Sequence, residues 1–92
     1  MVIARWQPTP EGRDQVFAAL PALVEASRAE PGCLGYEAQL CSVRGGAILL
    51  LERYVDHAAF EAHRSSLHFQ QIVLGDIVPH LQTRDLTVCV AT

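Results

Sequence analysis

Apolar and polar positions along the chain divide it into seven elements. VIARWQ at residues 2–7 alternates and carries branched and aromatic side chains, the pattern of a strand. Thr9, Pro10 and Glu11 then make a helix start: a hydroxyl cap, a proline where its missing N–H costs nothing, and a carboxylate near the positive end of the dipole. Val16, Leu20, Leu23, Val24 and Ser27 follow at helical spacing. Pro21 interrupts them and predicts a bent or split helix, at up to about 3 kcal/mol in an ordinary interior. Pro31-Gly32 closes the helix, and CLGYEAQL and AILLLERY read as the second and third strands. Arg44-Gly45-Gly46 between them accepts positive φ, so 33–54 is a hairpin. Asp56 caps a short helix through Arg64. Ser66 caps another, which turns Phe69, Val73 and Ile77 inward and weakens at Gly75 and Pro79. RDLTVCVAT, 84–92, alternates again as the fourth strand.

Strand, helix, two strands, helix pair, strand is the order of a ferredoxin-like βαββαβ sandwich. The expected fold class is α+β: one domain over 1–92, with a four-stranded antiparallel sheet and helices on one face. The other sheet face would then be bare. Half of the residues are apolar and only 18% are charged, more grease than a lone domain of 92 residues needs. A homodimer with the bare faces packed together accounts for the surplus.

Charge narrows the partners. The formal net charge is −3, lysine is absent, and the arginines are scattered, so the basic stripe that nucleic acid requires is missing. No apolar run reaches the length of a membrane span, and no leader-like segment opens the chain, which predicts a cytoplasmic protein with no membrane partner. Cys33, Cys41 and Cys89 form no C-x-x-C pair and read as small apolar fillers kept reduced.

The candidate chemistry gathers in the second half. Phe60 and Ala59 form a buried stripe on the short helix, and His63 lies on it, whereas His57, Glu61 and Arg64 take the wet side. His68 stands just behind the Ser66 cap, where the positive helix end keeps an imidazole neutral. Singly, His63 and His68 fit a core residue bonded to a carbonyl as well as a functional one. Glu52, Tyr36 and Tyr54 join them near one end of the sheet, and the five together carry the functional reading. Alternation divides each strand in two, Tyr36, Leu34 and Ala38 against Cys33, Glu37 and Gln39, and Ile48, Leu50, Glu52 and Tyr54 against Ala47, Leu49, Leu51 and Arg53, without saying which set of either meets the helices. There is no H-E-x-x-H, and a helix break separates the histidines, so no metal is expected.

EPGCLGYE at 30–37 and LLLERYVDHAAFEAHRSSLHF at 49–69 resemble the antibiotic biosynthesis monooxygenase family, whose members are dimeric α+β barrels. The most specific parts are E-P-G-C-x-x-Y-E, then E-R-aromatic, A-x-x-A-H and S-x-H-F. The resemblance implies oxygenation with molecular oxygen and no cofactor, acting on electron-rich phenols, quinols or polycyclic aromatic polyketide intermediates. It assigns the base or proton shuttle to His63 or His68 and the orientation of that histidine to Glu52. Substrate contact falls to Tyr36, Tyr54 and Phe60, with Arg5 stabilising an anion if it faces inward. The family commonly has Trp where Tyr54 stands, and a haem-degrading branch uses positions matching Arg5, Tyr54 and Val73. None of the three fits that role, so no haem is expected. The alternatives are a cofactor-free isomerase or cyclase on the same fold, which would consume no oxygen, and a non-catalytic metabolite-binding dimer.

Overall fold

The computed structural model describes residues 1–41 and 46–90. Its elements are β1 (Val2–Pro8), α1 (Arg13–Arg28), β2 (Cys33–Leu40), β3 (Ile48–Tyr54), α2 (His57–Ser65), a wide π-type helix α3 (Phe69–Ile77), a single 3₁₀ turn (Val78–His80) and β4 (Leu81–Val88). The strands form one antiparallel sheet in the order β2-β3-β1-β4. This is the ferredoxin-like α+β fold.

Register settles which set of side chains meets the helices. Val2, Ala4 and Trp6 pair with Glu52, Leu50 and Ile48, and Tyr36 pairs with Glu52. All seven are buried. With Val16, Leu20 and Leu23 of α1 and Val73 and Ile77 of α3, most of them form one hydrophobic core. The odd-numbered set lies on the outer face, where Ile3, Leu49 and Leu51 remain partly exposed and Arg5 and Arg53 exposed.

Three local expectations change. Thr9 caps a turn, its Oγ1 accepting from the Gly12 N–H at 2.9 Å, and the helix proper starts at Arg13. Pro21 does not split α1, which runs unbroken for 16 residues. The proline sits on the exposed side, so the hydrogen bond it cannot donate is lost where water can replace it. β4 begins at Leu81, three residues before the alternation suggested, and residues 91–92 lie outside the described residues. Of the expected turn, Arg44 and Gly45 also lie outside them, while Gly46 has φ +81°, a conformation glycine adopts freely.

Two caps aim the site. Asp56 Oδ1 accepts from the Ala59 N–H at 2.8 Å and starts α2. At its other end Ser66 Oγ donates to the His63 carbonyl at 2.6 Å and accepts from the Phe69 N–H at 3.2 Å, joining α2 to α3. Gly32 lets α2 settle close: a Cβ there would collide with that of Ala59.

Candidate active site

A cleft of about 540 Å³ opens between the helical layer and β4. Ala4, Trp6, Tyr36 and Glu52 of the sheet, Phe60 and His63 of α2 and Phe69 and Val73 of α3 line it, with Arg84 and Leu86 of β4 on its far side. β4 is exposed along nearly its whole length, because no helix covers that edge.

His63 is the centre of this arrangement. Its side chain is 2% exposed, with the Tyr36, Tyr54 and Phe69 rings at centroid distances of 5.5, 5.5 and 5.3 Å. Such an aromatic shell strips water from the imidazolium, and burial holds the pKa of His63 below the ordinary histidine value, outweighing the nearby Glu30 carboxylate. Nδ1 lies 2.7 Å from Glu30 Oε2. An ionised carboxylate can only accept, so Nδ1 carries the hydrogen and Nε2 keeps its lone pair. Nε2 stands 3.9 Å from Glu52 Oε1, beyond hydrogen-bond range. The result is a neutral imidazole, oriented from behind, with its basic nitrogen free of that carboxylate.

Glu52 is buried and receives the Tyr54 hydroxyl at 2.6 Å. Burial raises its pKa to about 7; the Tyr54 bond opposes this and the Glu30 charge adds to it. Burial likewise pushes both phenols, Tyr36 and Tyr54, well above the usual tyrosine value. Both stay protonated at neutral pH and can donate hydrogen bonds.

The raised Glu52 pKa has a consequence for stability. The folded protein keeps this carboxyl protonated to about pH 7, the unfolded chain only to 4.5, so its contribution is full below pH 4.5 and is lost as pH rises through about 7. At 1.36 kcal/mol per pH unit that is on the order of 3 kcal/mol. His63 has the opposite sign: its contribution is present above the ordinary imidazole value and lost as pH falls. Glu52→Gln, which still accepts from Tyr54, is therefore expected to stabilise the fold by about 1–3 kcal/mol more at pH 8 than at pH 4.5. Urea unfolding at the two pH values measures it; an equal effect at both would show that Glu52 titrates normally.

The structure brings some of the residues singled out from the sequence together and keeps others apart. His63, Glu52, Tyr36 and Phe60 line the cleft. Tyr54 packs on the Phe60 and His63 rings, and His68 is tied in through Glu30, its Nε2 2.5 Å from the same Oε2; neither is among the lining residues. Arg5 is exposed on the outer sheet face, because it is odd-numbered in a strand whose even positions face the helices, and it cannot reach an anion in the cleft. The orienting carboxylate is Glu30 rather than Glu52. Glu30 lies inside the E-P-G-C motif, but nothing in the local pattern links it to a histidine 33 residues on. Trp6 was legible as a strand residue on the parity of Ala4, though not as cleft lining.

Glu30, His63 and His68 also present three donor atoms within 4.8 Å of one another, a set of the composition that holds divalent metals. Donors around one such ion stand roughly 3 Å or more apart, as ligand bonds of about 2.0–2.2 Å require. The 2.7 and 2.5 Å separations here are those of direct hydrogen bonds.

Comparison with known proteins agrees with the geometry. Residues 1–73 match the family described as antibiotic biosynthesis monooxygenase. Rv0793 of Mycobacterium tuberculosis, which bears a provisional monooxygenase name, is 41% identical over 68 residues; the match spans 74% of this chain and 66% of that protein, just under two thirds of its length. YcnE of Bacillus subtilis, named in the same provisional way, is 33% identical over 64 residues, 70% of this chain and 67% of its own. The solved structure of Rv0793 superposes with a TM-score of 0.82, covering 99% of this chain and 94% of that one at 29% identity. A crystal structure of an antibiotic biosynthesis monooxygenase gives 0.84 at 31% identity, covering 98% and 97%. Fold and sequence match converge, and the chain belongs to the antibiotic biosynthesis monooxygenase family.

Proposed function

We propose that this protein is a cofactor-independent monooxygenase that oxidises an electron-rich phenolic, quinol or polycyclic aromatic substrate with molecular oxygen. The observation that carries the proposal is the uncharged, carboxylate-oriented imidazole of His63 at the wall of an aromatic cleft. A phenol stacked among Trp6, Tyr36, Phe60 and Phe69 gives its proton to His63 Nε2. The phenolate is a far better reductant than the phenol, so it passes an electron to oxygen without a carrier. For a phenol with a free para C–H, one oxygen atom becomes the new carbonyl of a quinone and the other leaves as water, which balances the reaction. Glu52, near half-protonated at neutral pH, is placed to exchange a proton with the departing peroxide oxygen, and Tyr54 holds it in position. Oxygen uptake by the purified protein with phenols and hydroquinones, with ¹⁸O traced into product, is the test. Substrate turnover without oxygen uptake would assign an isomerase or cyclase instead, and binding without turnover a metabolite-binding protein.

We also propose that the working unit is a homodimer formed through the outer sheet face. In the single chain, Ile3, Leu49 and Leu51 are only partly covered on that face, and Leu86 and Val88 leave further apolar surface exposed along β4 on the opposite face, beside the cleft. Among the described residues no helix is long and apolar enough to cross a membrane, so a bilayer-spanning helix is not what that surface supplies. Sedimentation equilibrium is expected to return twice the 10.1 kDa chain mass, and a stable monomer at micromolar concentration would refute the dimer. The three free cysteines suit the reducing cytoplasm, where we place the protein.

A further inference from the structure

We propose that Glu30 and His68 are the proton outlet of the site: the single Glu30 carboxylate sustains one imidazolium at a time between its two histidines, so a proton arriving on His63 is matched by one leaving His68 for solvent. This rests on His63 acting as the base, but its test does not.

Both ring nitrogens converge on one oxygen, Glu30 Oε2, at 2.7 Å from His63 Nδ1 and 2.5 Å from His68 Nε2. Exposure rises along the three side chains, from 2% at His63 through 15% at Glu30 to 21% at His68. Charge gained inside the aromatic shell can therefore be offset at a ring that reaches water, without crossing the substrate. The charge balance drives it. With no extra proton the cluster carries −1, with one it is neutral, and with two it is +1 in a largely desolvated place. Among the described residues no other cation pairs with Glu30. The other groups facing the cluster are Glu52 and Tyr54 from β3, Tyr36 from β2 and the Cys33 thiol beside Glu30, none of them cationic; the cation Arg28, at the end of α1, acts on Cys33 and donates its Nε–H to the Tyr36 carbonyl at 2.9 Å.

The step balances as a proton transfer alone. The substrate hydroxyl gives H⁺ to His63 Nε2. Where His68 holds the cluster's one extra proton, it releases H⁺ from Nδ1 to water and keeps its Nε2–H bond to Glu30. Glu30 stays a carboxylate accepting from both rings, the cluster holds the same number of protons before and after, and no electrons move. His68 and Glu30 thus act through His63, as positioning residues, while His63 alone meets the substrate.

Ring-nitrogen NMR of the ¹⁵N-labelled full chain, titrated from pH 8 to 4.5, tests this without any substrate. In the native protein the first proton is expected to move the His63 and His68 signals together, each by part of its full change, with the second entering only at distinctly lower pH. His68→Ala is expected to give His63 the whole first step. Glu30→Gln is expected to uncouple the rings and move protonation of His63 to lower pH. Independent single-step curves for the two rings, unchanged when the partner is replaced, would overturn the proposal. If Glu30→Gln does not fold, as its amide spectrum would show, His68→Ala decides alone, since that ring is partly exposed. Coupled rings in a protein that takes up no oxygen would leave the outlet standing and sink only the oxygenase proposal. Where uptake is found, His68→Ala is expected to lower kcat roughly tenfold to a hundredfold at unchanged KM, with added imidazole restoring it.

Discussion

Replacing His63 with alanine is expected to lower kcat for oxidation of a phenol or quinol by roughly 10²- to 10⁴-fold, the usual contribution of a positioned general base. At 1.36 kcal/mol per factor of ten, that corresponds to about 3–5 kcal/mol of transition-state stabilisation. No second group can take over without loss. Glu52 is 3.9 Å from Nε2 and half-protonated near neutrality, and both phenols hold their protons far into the alkaline range. Because burial depresses the pKa of His63, the native protein should keep this imidazole unprotonated, and so any activity that needs it as a base, to a pH below that at which an ordinary histidine would fail. His63→Gln separates chemistry from folding: its amide can still bond Glu30, yet it is not a base. Oxygen-electrode kinetics beside urea unfolding of both variants measures the two effects. Turnover within threefold of the native protein in a folded variant would remove His63 from the mechanism.

Phe60→Ala is expected to destabilise the fold by about 3–5 kcal/mol, the cost of deleting a buried aromatic ring and leaving a cavity. A domain of this size holds about 5–15 kcal/mol in total, so the change takes a large share of it. Phe60 is 6% exposed, packs against the Tyr54 ring at 5.5 Å and has the Arg64 guanidinium over its face at 5.6 Å. It is the aromatic anchor that seats α2 on the sheet, and α2 carries His63. Urea midpoints compared at one protein concentration give the value, since an associating protein gains stability with concentration. A loss below 1 kcal/mol would show that the α2 caps and Gly32, rather than this ring, hold the helix down.

The two effects should also differ in kind. Phe60 lines the cleft as well as supporting it, so its removal is expected to weaken substrate binding in whatever fraction remains folded. His63 removal should leave binding largely intact, because the flat substrate is held by rings that the change does not touch.

How far the chain could be read without coordinates follows from the range of each interaction. Period-2 and period-3.6 patterns, the Asp56 and Ser66 caps and the Pro31-Gly32 break act within a few residues, so the element order and the fold class were legible, and so was the inward turn of His63 beside Phe60. At Pro21 local propensity predicts a bent or split helix, and the split does not occur because the apolar stripe of Val16, Leu20 and Leu23 holds α1 together across it. The start of β4 was missed because Leu81–Thr83 become a strand by pairing with β1, which alternation alone does not record.

By itself, then, the sequence determined the elements, their order and which helix face carries the catalytic candidate, since these depend on neighbours along the chain. Only the tertiary structure decided that even-numbered strand positions face the helices, which excludes Arg5, and that Glu30 rather than Glu52 orients His63. Both depend on pairs far apart in sequence, 33 residues between Glu30 and His63 and 38 between Glu30 and His68. Contacts of that kind are set by how the layers close over one another, and no local pattern of residues encodes the partner at the far end.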